Sequence, residues 1–223
     1  MPDKNNDLET VLEALELSND NKGKELLIKY IDLLFKWHKK NNILSTRDRK
    51  YFIQRDLFDS LSIIKELPAG DLLDIGTGAG IPGILISFFR PEIKVSLLDR
   101  RDNAIRFLEH AKLKLDLNNV NIIKTDAKKM NIEDTPKAVL IKNFSNKIIS
   151  KLNFEDKLMH IINIVRAGNC KKTPIFMLTG SLALNTKNIS AEFEAISKSN
   201  FSVKKIDTPY FSTNRFLLVI THV

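Results

Sequence analysis

The residues best placed to do chemistry in this chain stand together between positions 71 and 83, in the run Asp71-Leu-Leu-Asp74-Ile-Gly76-Thr-Gly78-Ala-Gly80-Ile81-Pro82-Gly83. An apolar stretch passes into closely spaced glycines and then into a helical pattern. Glycines let the backbone turn sharply and let a ligand lie directly against it, and the first amides of a helix are free to meet that ligand. Three ligand classes use such a loop. The Gly-Lys-Ser/Thr of a triphosphate-binding loop is absent. A dinucleotide fingerprint, G-x-G-x-x-G, can be read at Gly78, Gly80 and Gly83. Asp74 ahead of the first glycine gives D-x-G-x-G-x-G instead, which suits a ligand with an ammonium group and suits a pyrophosphate poorly. Asp99, twenty-five residues on, ends the next apolar run, where its carboxylate can accept from both hydroxyls of a ribose. Asp99 would serve either nucleotide class, so the choice rests on Asp74 and on the topology. Each of these acids also has an ordinary use as a helix cap or turn residue.

The elements that must position these residues follow from periodicity. Residues 7–16 predict a short helix and residues 23–40 a longer one, with Leu26, Leu27, Tyr30, Ile31, Leu34, Phe35 and Trp37 on one buried face. A further helix is expected over 49–65, with Phe52, Leu57, Leu61 and Ile64 inward. Leu67-Pro68-Ala69-Gly70 is a breaker cluster, so we divide the chain into a helical extension, 1–67, and a second domain, 68–223. That second part alternates. Strands are expected at Leu72–Ile75, Lys94–Leu98, Asn121–Thr125, Ala138–Ile141, Ile175–Leu178, Val203–Ile206 and Phe216–Ile220, with helices at 81–89, 102–116, 152–166 and 188–199. Strand and helix in alternation imply a parallel sheet covered on both faces. Only Asp207–Arg215 separates the last two strands, too little for a crossover helix, so they should form an antiparallel hairpin. The expected architecture is α/β: a mostly parallel seven-stranded Rossmann-like sheet ending in an antiparallel hairpin, the plan of class I methyltransferases, with an N-terminal helical extension. Asp126-Ala127 ends the third strand, where this fold packs an adenine.

Composition narrows the setting. The 223 residues are 43% hydrophobic, enough to bury a core without disulfides or metals. The single cysteine, Cys170, cannot bridge internally, which favours a reducing, cytoplasmic compartment. No apolar run is long enough for a membrane span, and the polar N-terminus lacks a signal-peptide core. The net charge of +8 is uneven. Residues 1–66 are neutral, yet 36–55 carry Lys36, Lys39, Lys40, Arg47, Arg49, Lys50 and Arg55 against Asp48 alone. Such a stripe suits a phosphate backbone, or is simply a solvated face.

The chain resembles the RsmG/GidB family of small-subunit (16S) ribosomal RNA guanine-N7 methyltransferases. The match runs through Lys36-Trp37-His38-Lys39-Lys40-Asn41-Asn42-Ile43, Arg47-Asp48 and Arg55-Asp56-Leu57-Phe58-Asp59-Ser60-Leu61. It continues through the glycine loop at residues 73–87 with its Pro82-Gly83 pair, then Arg90-Pro91, Leu97-Leu98-Asp99, Arg106-Phe107-Leu108, and finally Asn214-Arg215 before the last strand. The resemblance implies S-adenosyl-L-methionine as cofactor, held by Asp74, Gly76, Gly78, Gly80, Ile81, Asp99, Asp126, Ala127 and Lys128. It implies ribosomal RNA of the small subunit as partner and substrate, contacted by Lys39, Lys40, Arg47, Arg55, Phe144 and Arg215, with Lys142 at the catalytic centre. No metal is expected, and the protein should be a cytoplasmic monomer. Several positions depart from the family pattern. The family's Lys-Arg pair is Asn103-Ala104, its Arg-Ala-Phe is Lys142-Asn143-Phe144, its Leu-Lys-Gly is Leu178-Thr179-Gly180, its helical His is Asp56, and its Arg and Glu near the adenine are Asp126 and Lys128.

Guanine N7 is a lone-pair acceptor that carries no proton at neutral pH. Its methylation needs alignment rather than a general base. None of the four histidines sits in a loop expected to border the glycine site. The Asn/Asp-Pro-Pro-Tyr motif of amine methylation and the Cys pair of C5 methylation are both absent. The departures leave a second reading open, a degenerate relative that binds RNA or the ribosome as an assembly factor without catalysis.

Overall fold

A computed structural model describes residues 6–142, 152–180, 189–210 and 215–222. Helices α1 (Asn6–Ala14) and α2 (Asn21–Asn41) open the chain. Asp20 caps α2 by accepting the Gly23 amide at 2.8 Å, and Asn42 ends it in the left-handed conformation with φ of 45°. The segment expected as one helix over 49–65 is broken. It comprises α3 (Arg49–Phe52), a π-helical turn (Ile53–Leu57), α4 (Phe58–Leu61) and a 3₁₀ turn (Ile64–Glu66). Its apolar spacing still turns Phe52, Leu57, Leu61 and Ile64 inward, so the periodicity was legible and the backbone irregularity was not.

The α/β part follows as β1 (Leu72–Ile75), α5 (Gly83–Phe89), β2 (Val95–Asp99), α6 (Asp102–Leu115), β3 (Val120–Lys124), β4 (Ala138–Lys142), α7 (Phe154–Ala167), β5 (Ile175–Thr179), α8 (Ala191–Ser197), β6 (Ser199–Ile206) and β7 (Arg215–His222). The sheet order is β3-β2-β1-β4-β5-β7-β6. Strands β1 to β5 are parallel, while β7 runs antiparallel to both β5 and β6. The expected mixed sheet with its terminal hairpin is therefore what the chain forms. Strand β6 starts four residues earlier than expected, because Ser199–Ser202 pair with Val219–His222 at the sheet's edge and Phe201 packs on Phe193. A 3₁₀ turn at Ala127–Lys129, capped by Asp126, also had no sequence expectation.

Two apolar clusters cover the two faces. One gathers α1, α2 and the broken helix with α5 and α6 against Leu72, Val95, Leu97, Leu140 and Leu217. The other packs α7 and Phe193 against Leu73, Leu98, Val139, Ile141 and Leu218. Side chains alternate along a strand, so every second residue of β1, β4 and β7 faces the helical layer. Asp74 shares that parity with Leu72, Lys142 with Leu140, and Arg215 with Leu217. The helices of 6–66 thus lie over the very face that carries these three charged residues. Tyr30 of α2 fastens this layer to the glycine loop by donating its hydroxyl to the Ala79 carbonyl at 2.6 Å, wholly buried.

Candidate functional site

The loop between β1 and α5 is built around Asp74. Its Oδ2 accepts the Thr77 hydroxyl at 2.6 Å and the Gly83 amide at 2.8 Å. Gly83 fits there only without a side chain, since a Cβ would lie 2.5 Å from Leu97 Cδ2 and 2.9 Å from Asp74 Cβ. The other oxygen, Oδ1, is buried and has no hydrogen-bond partner among the described residues. Burial raises the carboxyl to about 6, against the pull of the Thr77 and Gly83 bonds. An acceptor left unpaired in a buried site favours a donor, and a cationic donor most of all.

Asp99 ends β2 beside this loop, 4% exposed. Its Oδ2 accepts the Gly78 amide at 2.9 Å, which ties the second strand to the loop. Gly78 sits at φ of +63°, a conformation that L side chains rarely adopt. Arg101 occupies the rest of the carboxylate: its amide and Nε reach Oδ1 at 2.9 and 3.1 Å, and Nη2 reaches Oδ2 at 3.1 Å. Burial acts upward on Asp99, but the Arg101 hydrogen bonds and charge hold it below the usual carboxylate range. Arg101 had no role in the sequence reading. Asp126 is a cap in this structure, accepting the Lys128 amide at 3.0 Å while Arg100 Nη1 approaches at 3.4 Å. Ala127 is buried and Lys128 exposed; Ile81 is half-buried behind Gly80.

The cations expected to meet substrate fall into two groups. Arg55, Lys142 and Arg215 come together under the helical layer. Lys142 Nζ donates to the Asp56 carbonyl at 3.0 Å, Asp56 Oδ1 at 2.9 Å and Ser60 Oγ at 3.4 Å. Arg55 donates to the other Asp56 oxygen through Nη2 at 2.6 Å and stacks on Tyr51, 4.3 Å from its ring centre. Arg215 is paired with Asp59 and packs against Gly180, where a Cβ would lie 2.5 Å from Nη1. Asp59 had been noted only as part of a matching stretch, and Asp56 also as a departure from the family pattern, neither with a role; strand parity was the signal that could have placed them against Lys142 and Arg215. Lys39, Lys40 and Arg47 form the second group, exposed at and just after the C-terminal end of α2. Of the seven basic residues at 36–55, Arg49 pairs with Asp32, Lys50 with Asp7 and Arg55 with Asp56. Lys36, Lys39, Lys40 and Arg47 remain without an ion pair among the described residues, so the stripe is narrower than its composition suggested. Phe144 lies outside the described residues.

Solved structures of similar fold include methyltransferases. Precorrin-6y C5,15-methyltransferase from Geobacter metallireducens GS-15 superposes with a TM-score of 0.54 at 16% identity, covering 82% of this chain and 96% of that one. M. capricolum TrmK, solved with S-adenosyl-homocysteine, gives 0.53 at 13% identity, covering 74% of this chain and 67% of that one. The fold is the class I methyltransferase fold. A family model described as rRNA small subunit methyltransferase G matches residues 23–164, and the chain belongs to that family. Ribosomal RNA small subunit methyltransferase G of Acinetobacter baumannii strain ATCC 17978 is 44% identical over 113 residues, 51% of this chain and 54% of the relative. The same-named protein of Ruthia magnifica is 39% identical over 119 residues, 53% and 59%. The matched part thus spans a little over half the length of these curated relatives.

The buried Asp74 carries a pH signature. Its folded pKa lies above its ordinary 3.8, so the folded chain holds this proton more tightly than the unfolded chain. Its contribution to stability is greatest below that ordinary value and falls as pH rises through about 6, by up to roughly 3 kcal/mol. In urea unfolding of ligand-free protein, the stability of wild type relative to Asp74→Asn should decline between pH 4 and 7. A difference that stays level would show that the carboxyl ionises normally.

Proposed function

We propose that this protein transfers a methyl group from S-adenosyl-L-methionine to guanine N7 in small-subunit ribosomal RNA. The observation that carries this is the loop Asp74–Gly83 with one buried, unpaired carboxylate oxygen beside the Asp99 carboxylate, in a member of the family named above. The residues fit the cofactor: Asp74 Oδ1 is free to accept an ammonium group, Asp99 to accept a ribose diol once Arg101 swings aside, and Gly76, Gly78, Gly80 and Ile81 form the surface between them. Asp126, Ala127 and Lys128 flank the adenine. The bound cofactor supplies an electrophilic methyl. The chain supplies alignment, with Lys142 bordering the target base, Phe144 stacking on it, and Arg55 and Arg215 holding nearby phosphates. Residues 1–67 serve RNA contact, through Lys39, Lys40 and Arg47, and residues 68–223 serve methyl transfer. We place the protein in the cytoplasm as a monomer acting on the small ribosomal subunit. Among the described residues no helix is long and apolar enough to cross a membrane.

One observation favours a second reading, an RNA-binding assembly factor without catalysis. Arg55, Lys142 and Arg215 are all already held by carboxylates. Methyl transfer from labelled donor to free RNA, small subunits and whole ribosomes in parallel separates the two. Transfer to at least one of them supports the enzyme; transfer to none, with RNA binding intact, supports the factor.

Binding of the cofactor must displace Arg101 from Asp99. In calorimetric titration Arg101→Ala should therefore bind S-adenosyl-L-methionine several-fold more tightly than wild type, and neither should bind NAD. Weaker binding in the variant would mean that Arg101 contacts the cofactor instead of competing with it.

Contact between the exposed stripe and RNA phosphates predicts a salt effect. Replacing Lys39, Lys40 and Arg47 together by Glu should weaken RNA binding and flatten its dependence on salt, each lost phosphate contact lowering the log–log slope by about 0.7–0.9. An unchanged slope would mark these residues as a solvated face.

A further inference from the structure

We infer that Asp56 is the positioning residue for Lys142, and that the two work as one unit at the C-terminal end of β4, where the methyl is transferred. This rests on the methyl-transfer reading. An ammonium group has three protons to place, and Lys142 places all three on the broken helix: the Asp56 carbonyl, the Asp56 carboxylate and the Ser60 hydroxyl. The side chain is 3% exposed. A lysine buried to this degree needs an opposite charge beside it, and the Asp56 carboxylate lies at 2.9 Å. Asp56 is fixed in turn, its second oxygen held by Arg55, and it lies within the π-helical turn Ile53–Leu57, a backbone form that recurs at functional sites.

The position of the pair distinguishes it from an ordinary strut. Lys142 ends β4 next to β1, on the face that carries Asp74, and its charge acts on the Asp74 carboxyl. The groups facing Lys142 are Asp56 and Asp59 from the helical layer and Asp74 from β1, with Arg55 and Arg215 paired to the first two. Lysine is a compact charge on a flexible stem, so its orientation has to be supplied from outside. Asp56 supplies it.

The test compares Asp56→Asn and Asp56→Glu with wild type. Thermal unfolding confirms that each is folded, and calorimetry gives cofactor affinity. Asp56→Asn should lower kcat for methyl transfer on the order of tenfold while the Kd for S-adenosyl-L-methionine stays within a few fold. Asp56→Glu, which keeps a carboxylate to hold the Lys142 ammonium, should recover most of the lost kcat. Wild-type kcat in Asp56→Asn, or an Asp56→Glu as impaired as Asp56→Asn, overturns the inference while the enzyme reading stands. A wild type that methylates no ribosomal substrate overturns that reading, and the inference with it.

Discussion

Asp74 is buried where β1 meets the loop, and one of its oxygens gathers the Thr77 hydroxyl and the Gly83 amide. This small closure sets the path of everything after it. It turns the chain back toward α5 and lets that helix start within contact distance of β1 and β2, at a residue with no side chain to hold it off. It leaves one carboxylate oxygen enclosed without a donor among the described residues, at a cost that burial alone would make the protein avoid. A closure satisfied on one oxygen and open on the other is economical as structure only if something else completes it. The Gly78 amide extends the same device to Asp99, so two acids on adjacent strands are tied to one loop.

The second constraint is the parity of the strands. Alternation divides the core into two clusters, and it also divides the charged residues. Asp74, Lys142 and Arg215 are on the face toward the helical layer. A cation buried beneath a helix needs an acceptor there, because an unpaired buried charge is costly. The layer answers with Asp56, Ser60 and Asp59. Burial acts upward on both acids. The charges of Lys142 and Arg55 bring Asp56 below the ordinary carboxylate range, while Asp59 stays above it despite Arg215. Breaking such a pair by removing one partner costs about 3–5 kcal/mol in buried sites. The joint between the helical extension and the sheet is thus electrostatic at the site and apolar elsewhere, with Tyr30 reaching across to the Ala79 carbonyl.

Much of the frame was readable in one dimension. The seven strands, their order of appearance and the terminal hairpin follow from runs of apolar residues and from the nine residues between the last two strands. The tight turn after β1 follows from Asp74 and its glycines. What misled was composition taken without neighbours. The basic stripe counted seven cations against one acid, but Asp7, Asp32 and Asp56 lie outside that window in sequence and beside it in space. The helix expected over 49–65 kept its buried face and lost its regularity, because apolar spacing reports which side is inward and says little about a single widened turn.

The sequence by itself determined the fold class and the family, because each depends on residue types at short, fixed separations. Tertiary structure alone decided which charges are spent. Arg101 lies on Asp99, Arg215 on Asp59, and Lys142 on Asp56, eighty-six residues away along the chain. Such pairs are chosen by which faces the sheet and helices turn toward one another, and by the need of every buried charge to find an opposite one. No local pattern encodes that choice, since an exposed lysine and a buried, paired one are the same letter.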